Sequence, residues 1–382
     1  MKQVFILGAY GQNNLGDEAL LDVFIKQFEG CQLIVNSAQP EVTAKRYGVQ
    51  CVSTYWNWRP RFSRVRTLLA SDLFVFGGGS LLKEIEGNWI ARLAYFARIL
   101  LILIFAKVTG KQTAMLGVGM GPLHYPLYKF LTRVSANLTG VICVRDTDSR
   151  DLLRSVGVHR EVFVTADPVF TLSIQGRAPV VDQPFAASAA YVAVVPRYSL
   201  TEAQQHALAA ACDAIVERYQ QQILFIPFQT DYLQHFDDTQ ASRQIQAKMR
   251  HPEAAHIWVT DSPRAAFDVI GKATLVLSAR LHALIFAAMQ GVPSVALSYE
   301  VKVRSFMAEA GQSEYSLNLQ ELENGALLAT LDTAWDNRAA IVAQVRERAA
   351  VLRMASQRNF DILRAAEASG SSCHLAGGSR AP

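Results

Sequence analysis

The side chains best placed to do chemistry are Arg280 and His282, in the stretch Ser278-Ala279-Arg280-Leu281-His282-Ala283-Leu284. An apolar run over 273–277 precedes them and a second one follows, the pattern of a buried strand opening into a helix. In an open α/β sheet that junction lies at the carboxyl end of a strand, where a helix N-terminus offers free N–H groups and a positive dipole to an anion. Residues two apart share a face only while the chain is extended. The spacing therefore puts the helix start at or just after His282, with both side chains facing one cleft. Arg197, at the end of the apolar run 191–195, projects from another strand toward the same cleft. Two planar guanidinium forks, each able to hold one anionic group, suit a ligand that carries both a carboxylate and a phosphate.

Two glycine-rich turns follow strands in the first half of the chain. Gly8-Ala9-Tyr10-Gly11-Gln12-Asn13-Asn14-Leu15-Gly16-Asp17-Glu18 lacks the GxGxxG spacing, and Asp17 and Glu18 put negative charge where a pyrophosphate would sit, which disfavours a dinucleotide. Asp17 either caps the helix that follows or, with Glu18, binds sugar hydroxyls or acts as a base. Gly77-Gly78-Gly79-Ser80 lets backbone approach a ligand or a neighbouring element closely, and three glycines cost enough chain entropy to need such a reason. The segment 56–66 interleaves aromatics with four arginines, the composition of a solvated basic loop or of a grip on a pyrophosphate-linked lipid or an anionic membrane surface.

Strand and helix patterns alternate along the chain, as in parallel sheets covered on both faces. The fold class is α/β: two tandem Rossmann-like domains, 1–175 and 190–331, with an inter-domain cleft. Residues 173–190, with Gly176, Pro179 and Pro184, read as the linker. One long helix over 332–368 braces the domains, and 369–382 is a flexible tail. The run 90–110 is strongly apolar but interrupted by Arg92, Arg98 and Lys107; too short between charges to span a bilayer, it reads as a core-packed helix.

Composition narrows the function. Lys plus Arg number 37 against 33 Asp plus Glu, a formal charge of +4 that is too mild to argue for nucleic acid. Five scattered cysteines, with no CxxC pair and no zinc-ligand spacing, fit a reducing cytoplasm and suggest no metal. Association with the inner face of the membrane is a secondary expectation, and the sequence gives no oligomeric state.

Taken in order, several short motifs resemble the polysaccharide pyruvyl transferase family, in its cell-wall and surface-polysaccharide branch. They are Asn14-Leu15-Gly16-Asp17-Glu18-Ala19-Leu20, Phe76-Gly77-Gly78-Gly79, Val144-Arg145-Asp146 with Ser149, Thr165-Ala166-Asp167-Pro168, Arg280-Leu281-His282-Ala283, and Gly291-Val292-Pro293 with Ser298, Tyr299 and Lys302. The family pattern often has methionine where this chain has Ala279. The resemblance implies a fold like the B-type glycosyltransferases and transfer of pyruvate from phosphoenolpyruvate to a sugar, lipid-linked or polymeric, as a cyclic ketal, with no cofactor. It implies that Arg280, Leu281 and His282 bind the donor on the C-terminal side and that Arg197 is the second donor clamp. His282 is then the acid or phosphate partner, Lys302 adds charge to the phosphate pocket, and Asp17 or Glu18, beside Asn14, Gly78 and Gly79, meets the acceptor. Two alternatives share this architecture: a nucleotide-sugar-dependent glycosyltransferase and a non-catalytic protein that binds carbohydrate or a lipid carrier.

Overall fold

The computed structural model describes residues 1–54, 67–85, 87–173, 189–230 and 237–373. The basic aromatic segment 56–66, most of the expected linker and the end of the tail lie outside the described residues. Two compact units are present: one comprises Met1–Gly11, Leu20–Leu172 and Leu352–Pro382, the other Gln12–Ala19 and Ser173–Val351.

The first unit is built on a parallel sheet of β1 (Gln3–Leu7), β2 (Gln32–Ser37), β3 (Gln50–Ser53), β4 (Leu73–Gly77), β5 (Ser80–Leu81), β6 (Gln112–Met120), β7 (Val141–Val144) and β8 (Phe163–Val164). The order is β3-β2-β1-β4-β6-β7-β8, with β5 beside β6. Central strands such as Val4-Phe5-Ile6-Leu7 and Leu73-Phe74-Val75-Phe76 are buried on both faces, which explains their unbroken apolar runs. Helices α1 (Leu15–Gln27), α2 (Pro40–Tyr47), α3 (Trp89–Val108), α4 (Pro126–Leu138) and α5 (Thr147–Ser155) connect the strands. The sheet's order reverses between β1 and β4, and the two glycine turns follow these strands.

The second unit repeats the plan with β9 (Tyr191–Val195), β10 (Gln222–Phe225), β11 (Ala255–Ile257), β12 (Leu275–Ser278), β13 (Ser294–Ser298) and β14 (Ser316–Asn318), ordered β11-β10-β9-β12-β13-β14 and all parallel. Its helices are α6 (Glu202–Tyr219), α7 (Asp238–Gln246), α8 (Pro263–Ile270), α9 (Leu281–Gln290), α10 (Val301–Glu309) and α11 (Ala326–Asp336). Here the order reverses between β9 and β12, so Arg197 and Arg280, each two residues past the end of one of these strands, stand at the switch point where ligands enter doubly wound sheets.

The expected single helix over 332–368 is two. Helix α11 stops at Asp336, Asn337 leaves the helical conformation (φ −90°, ψ 2°), and α12 (Arg338–Cys373) starts anew. Helicity extends through 369–373, the first part of the expected flexible tail. From Leu352 onward α12 belongs to the first unit, where Asn359 Oδ1 accepts a hydrogen bond from the Thr165 hydroxyl at 2.8 Å and Ser356 donates to Asp167 O at 2.8 Å. The helix pattern over 90–110 also packs differently from expectation. Helix α3 has the length and mean hydropathy (20 residues, 1.9) of a spanning segment, and only 22% of its apolar window is buried within the protein. Phe96, Ile99, Leu103 and Ala106 face the sheet, and the opposite side is open.

Candidate functional site

Arg280 is not a side chain standing free in a crevice. Helix α9 begins at Leu281, so Arg280 is its extended N-cap residue (φ −103°, ψ 123°) and His282 lies in the first turn, one residue later in the helix than the spacing suggests. The Arg280 amide donates to Ser278 Oγ at 2.9 Å, and that hydroxyl donates to Arg280 O at 3.0 Å, closing a tight strand-to-helix turn. The guanidinium then turns onto Asp238: Nε donates to Oδ2 at 2.9 Å and Nη2 to Oδ1 at 2.6 Å. The Arg280 side chain is 12% exposed and Asp238 0%. Burial pulls the Arg280 pKa down, but the charge and hydrogen bonds of Asp238 outweigh it and the net shift is upward. One guanidinium edge is therefore committed to Asp238, and among the described residues Nη1 donates no hydrogen bond.

Asp238 is the hub that sequence reasoning missed. At the start of α7 its Oδ1 also accepts the Tyr198 amide at 3.0 Å and its Oδ2 the Gln229 amide at 2.9 Å. One carboxylate thus ties together the loops after β9 and β10 and the turn after β12. The neighbouring Asp237 caps α7 through Thr239 N at 2.8 Å. An Asp-Asp pair opening a helix is legible as a capping signal, but nothing in the linear pattern says which of the two turns inward.

Arg197 is sandwiched by aromatic rings. Its Cζ lies 4.5 Å from the Tyr198 ring centroid and 4.3 Å from that of Tyr299, Nη2 donates to the Tyr198 hydroxyl at 2.9 Å, and Nη1 donates to Ser199 Oγ. Arg280 Cζ is 5.5 Å from the same Tyr198 ring, so Tyr198 sits against both guanidinium groups, an arrangement that cation–π attraction favours. Lys302, at the start of α10, pairs with Glu300 at 2.5 Å and stands 5.6 Å from the Tyr299 ring. Arg197, Arg280 and Lys302 are thus linked through two tyrosines at the ends of β9, β12 and β13. Leu281 is buried.

The other predicted residues divide between the units. Asn14, Asp17 and Glu18, expected on the first domain, belong to the second unit. The reason is a short antiparallel bridge between Asn14 and Gln229, with Leu15 N donating to Phe228 O at 2.9 Å, Thr230 N to Asn13 O at 3.2 Å and Asn14 Nδ2 to Gln229 Oε1 at 2.9 Å. Asn14, rather than Asp17, caps α1: its Oδ1 accepts from Gly16 N at 3.0 Å and Asp17 N at 3.3 Å. Asp17 is half-buried in the first turn and Glu18 is buried. Gly16 packs directly on His282, whose Nδ1 would lie 2.0 Å from a Cβ at that position. Two distant motifs, one around residue 16 and one around 282, therefore form one surface.

Gly78 and Gly79 lie in the first unit with positive φ, 66° and 69°. A Cβ on Gly78 would strike Leu20 at 2.6 Å, and one on Gly77 the Tyr10 hydroxyl at 2.6 Å. At Gly77 and Gly78 the close approach is therefore to protein. Arg145 braces the adjoining turn, its Nη2 donating to Ser80 Oγ at 3.4 Å while Nη1 reaches Asp167 at 3.3 Å.

These pieces match one family in order and position. The sequence model of the polysaccharide pyruvyl transferases matches residues 14–301, from the Asn14 cap through Arg280 and His282 to the start of α10. The chain belongs to that family. Among curated proteins this pyruvyl transferase family member is 21% identical over 256 residues to the amylovoran biosynthesis protein AmsJ of Erwinia amylovora, covering 63% of this chain and 62% of AmsJ. The match thus spans less than two thirds of that relative's length. Solved structures share the fold along nearly the whole chain. UDP-GlcNAc 2-epimerase from Neisseria meningitidis, bound to UDP-GlcNAc, aligns with a TM-score of 0.62 at 12% identity over 95% of this chain and 99% of its own. An Anabaena protein, Alr3699/HepE, solved with UDP and glucose, aligns with 0.58 at 13% identity over 95% and 100%. A glycosyltransferase from Rickettsia africae aligns with 0.58 at 11% identity over 96% and 98%. The architecture is that of the B-type glycosyltransferases and epimerases, as the family resemblance implies.

Proposed function

We propose that this transferase moves pyruvate from phosphoenolpyruvate onto two hydroxyls of a sugar in a surface polysaccharide or its lipid-linked precursor, forming a cyclic ketal and releasing phosphate. The observation that carries this reading is the pair of guanidinium groups on Tyr198 at the sheet's switch point, one of them oriented by Asp238. A small donor with a carboxylate and a phosphate matches two such groups, with Lys302 beside them. The family and the polysaccharide-linked relative support the acceptor class.

In this reading a proton adds to the donor's methylene carbon, making a methyl group and an oxocarbenium-like centre. A sugar hydroxyl attacks that centre and loses its proton. The C–O bond to phosphate then breaks with its electron pair going to phosphate, and a neighbouring hydroxyl adds to the carbon and loses its proton to the departing phosphate or to solvent, closing the ring. Arg197 and the Nη1 end of Arg280 hold the anionic groups as negative charge gathers on the departing phosphate. His282, in the first turn of α9 and against Gly16, is the candidate proton donor or phosphate partner. Asp17 is the candidate base for the sugar. No step requires an organic cofactor or a metal.

Neighbours solved with UDP or UDP-GlcNAc favour a second reading, a nucleotide diphosphate at the same strand ends. Titration calorimetry separates the two. Phosphoenolpyruvate should bind the whole chain and lose affinity in Arg197→Ala and in Arg280→Ala, and adding acceptor glycan should release phosphate. Tight binding of UDP-sugars with none of phosphoenolpyruvate would overturn the proposal.

A further inference from the structure

The outward faces of α3 and α4 form an apolar surface that stands exposed among the described residues. Eight of the fifteen large apolar side chains exposed among the described residues sit there: Trp89, Ile90, Leu101, Ile104 and Val108 at the start and along α3, with Tyr125, Leu127 and Phe130 on α4 and its N-cap. Ile90, Leu101, Ile104 and Val108 repeat at helical spacing, so they make one stripe opposite the buried Phe96, Ile99, Leu103 and Ala106. The two helices adjoin: Tyr128 stacks on Phe96 at 5.0 Å between ring centroids, and its hydroxyl donates to Trp89 O at 3.5 Å. An exposed contiguous patch of this kind marks a contact surface.

Charge says what the surface meets. From 87 to 144 the chain contains no Asp or Glu but has Arg92, Arg98, Lys107, Lys111, Lys129 and Arg133. Lys107, Lys129 and Arg133 are exposed. Arg92 and Arg98 are spent on the carbonyls of Ile85 and Thr54, and Lys111 faces Asp72 at 3.9 Å. Glu84, which borders the patch, accepts the amides of His124 and Tyr125. Aromatic and aliphatic side chains rimmed by cations are the composition of a helix lying in a lipid interface. A second copy of the same cationic face would be repelled, whereas an anionic bilayer would be attracted. Spanning is ruled out by the fold, because the inner face of α3 is core and the chain runs from it straight into β6, between β4 and β7.

We infer that this face docks the protein on the surface of a bilayer bearing anionic phospholipids, with Trp89, Leu101 and Phe130 inserted among the headgroups. The docking is independent of which donor the second unit takes. The experiment is co-sedimentation of the full chain with vesicles of phosphatidylglycerol and phosphatidylcholine, against vesicles of phosphatidylcholine alone. The protein should pellet with the anionic vesicles and far less with the zwitterionic ones. Lys107→Gln and Lys129→Gln should each weaken partitioning about five-fold, from roughly 1 kcal/mol per surface cation. Leu101→Ser with Phe130→Ser should abolish it while leaving the circular dichroism and the affinity for phosphoenolpyruvate unchanged, since both side chains are exposed. Quenching by brominated lipid should fall in Trp89→Phe. No binding to anionic vesicles, equal binding to both compositions, binding indifferent to these substitutions, or a dimer in sedimentation velocity that Leu101→Ser dissolves would each overturn the inference.

Discussion

Replacing Asp238 by Asn tests whether one buried carboxylate organises the site. The wild-type carboxylate accepts four hydrogen bonds, two from Arg280 and one each from the amides of Tyr198 and Gln229. An asparagine keeps one oxygen but aims an NH₂ at donors, and it leaves the Arg280 guanidinium, 12% exposed, without its counter-charge. Removing one partner of such a pair costs about 3–5 kcal/mol. Arg280→Ala should cost less, about 1–3 kcal/mol, because Asp238 would keep two amide donors and the favourable end of the α7 dipole. The expected order is therefore Asp238→Asn worse than Arg280→Ala, with the double variant Asp238→Asn/Arg280→Met recovering part of the loss. Urea denaturation gives the stabilities, and hydrogen exchange at the Tyr198 and Gln229 amides gives the local effect. Protection should fall in Asp238→Asn and persist in Arg280→Ala, while both lose donor binding. Wild-type stability and protection in a folded Asp238→Asn protein would refute the hub.

Three further outcomes follow from local geometry. Gly16→Ala, which on helix propensity alone would gain about 1 kcal/mol, should instead destabilise by about 1–3 kcal/mol through overpacking against His282; adding His282→Ala should restore stability but not transfer. Burial pushes the Cys143 thiol up to about 12 and raises that of Cys212 further still, so Cys143→Ser and Cys212→Ser should leave the number of thiols that react with a disulfide reagent at pH 8 unchanged in the folded protein. The Tyr219 hydroxyl bond holds the Asp332 carboxyl below its ordinary value, against a smaller opposing effect of burial and with help from Arg218. A depressed folded-state pKa stabilises above the unfolded value and is lost as pH falls through the folded one. Tyr219→Phe should thus be less stable near neutrality, by at most about 1 kcal/mol for this half-exposed pair, and the gap should close in acid as read by urea titration.

Much of the fold was legible because buried parallel strands advertise themselves as unbroken apolar runs, as at 4–7, 73–76 and 275–277. Three strands were missed: β3 and β14 are edge strands whose short, partly polar segments Gln50–Ser53 and Ser316–Asn318 are only half-covered, and β5 is a two-residue pairing with β6 just after the glycine turn. The helix break at Asn337 was hidden because no glycine or proline marks it. At the candidate site, the positions of Arg197, Arg280 and His282 just after strands were readable. Asp238, Gln229 and Gly16 were not: Gln229 and Gly16 meet partners more than 200 positions away, as in the 2.9 Å bond between Asn14 and Gln229, and Asp238 gathers Arg280 and Tyr198 from loops about 40 positions to either side. The assignment of Asn14 and Asp17 to the first domain followed chain order, which the bridge to Gln229 overrides.

The discontinuity of the units governs how the chain can be made. Neither unit is encoded by one unbroken stretch: the second needs Gln12–Ala19 and the first needs the helix from Leu352 onward. During synthesis the earliest segment must wait for β10 before it finds Gln229, and the first sheet stays uncovered on the Asn359 side until nearly all of the chain has left the ribosome. Folding is therefore committed to long-range closure late in translation. An expression fragment cut at residue 173 would carry Arg197, Arg280 and Lys302 yet present His282 to water where Gly16 belongs.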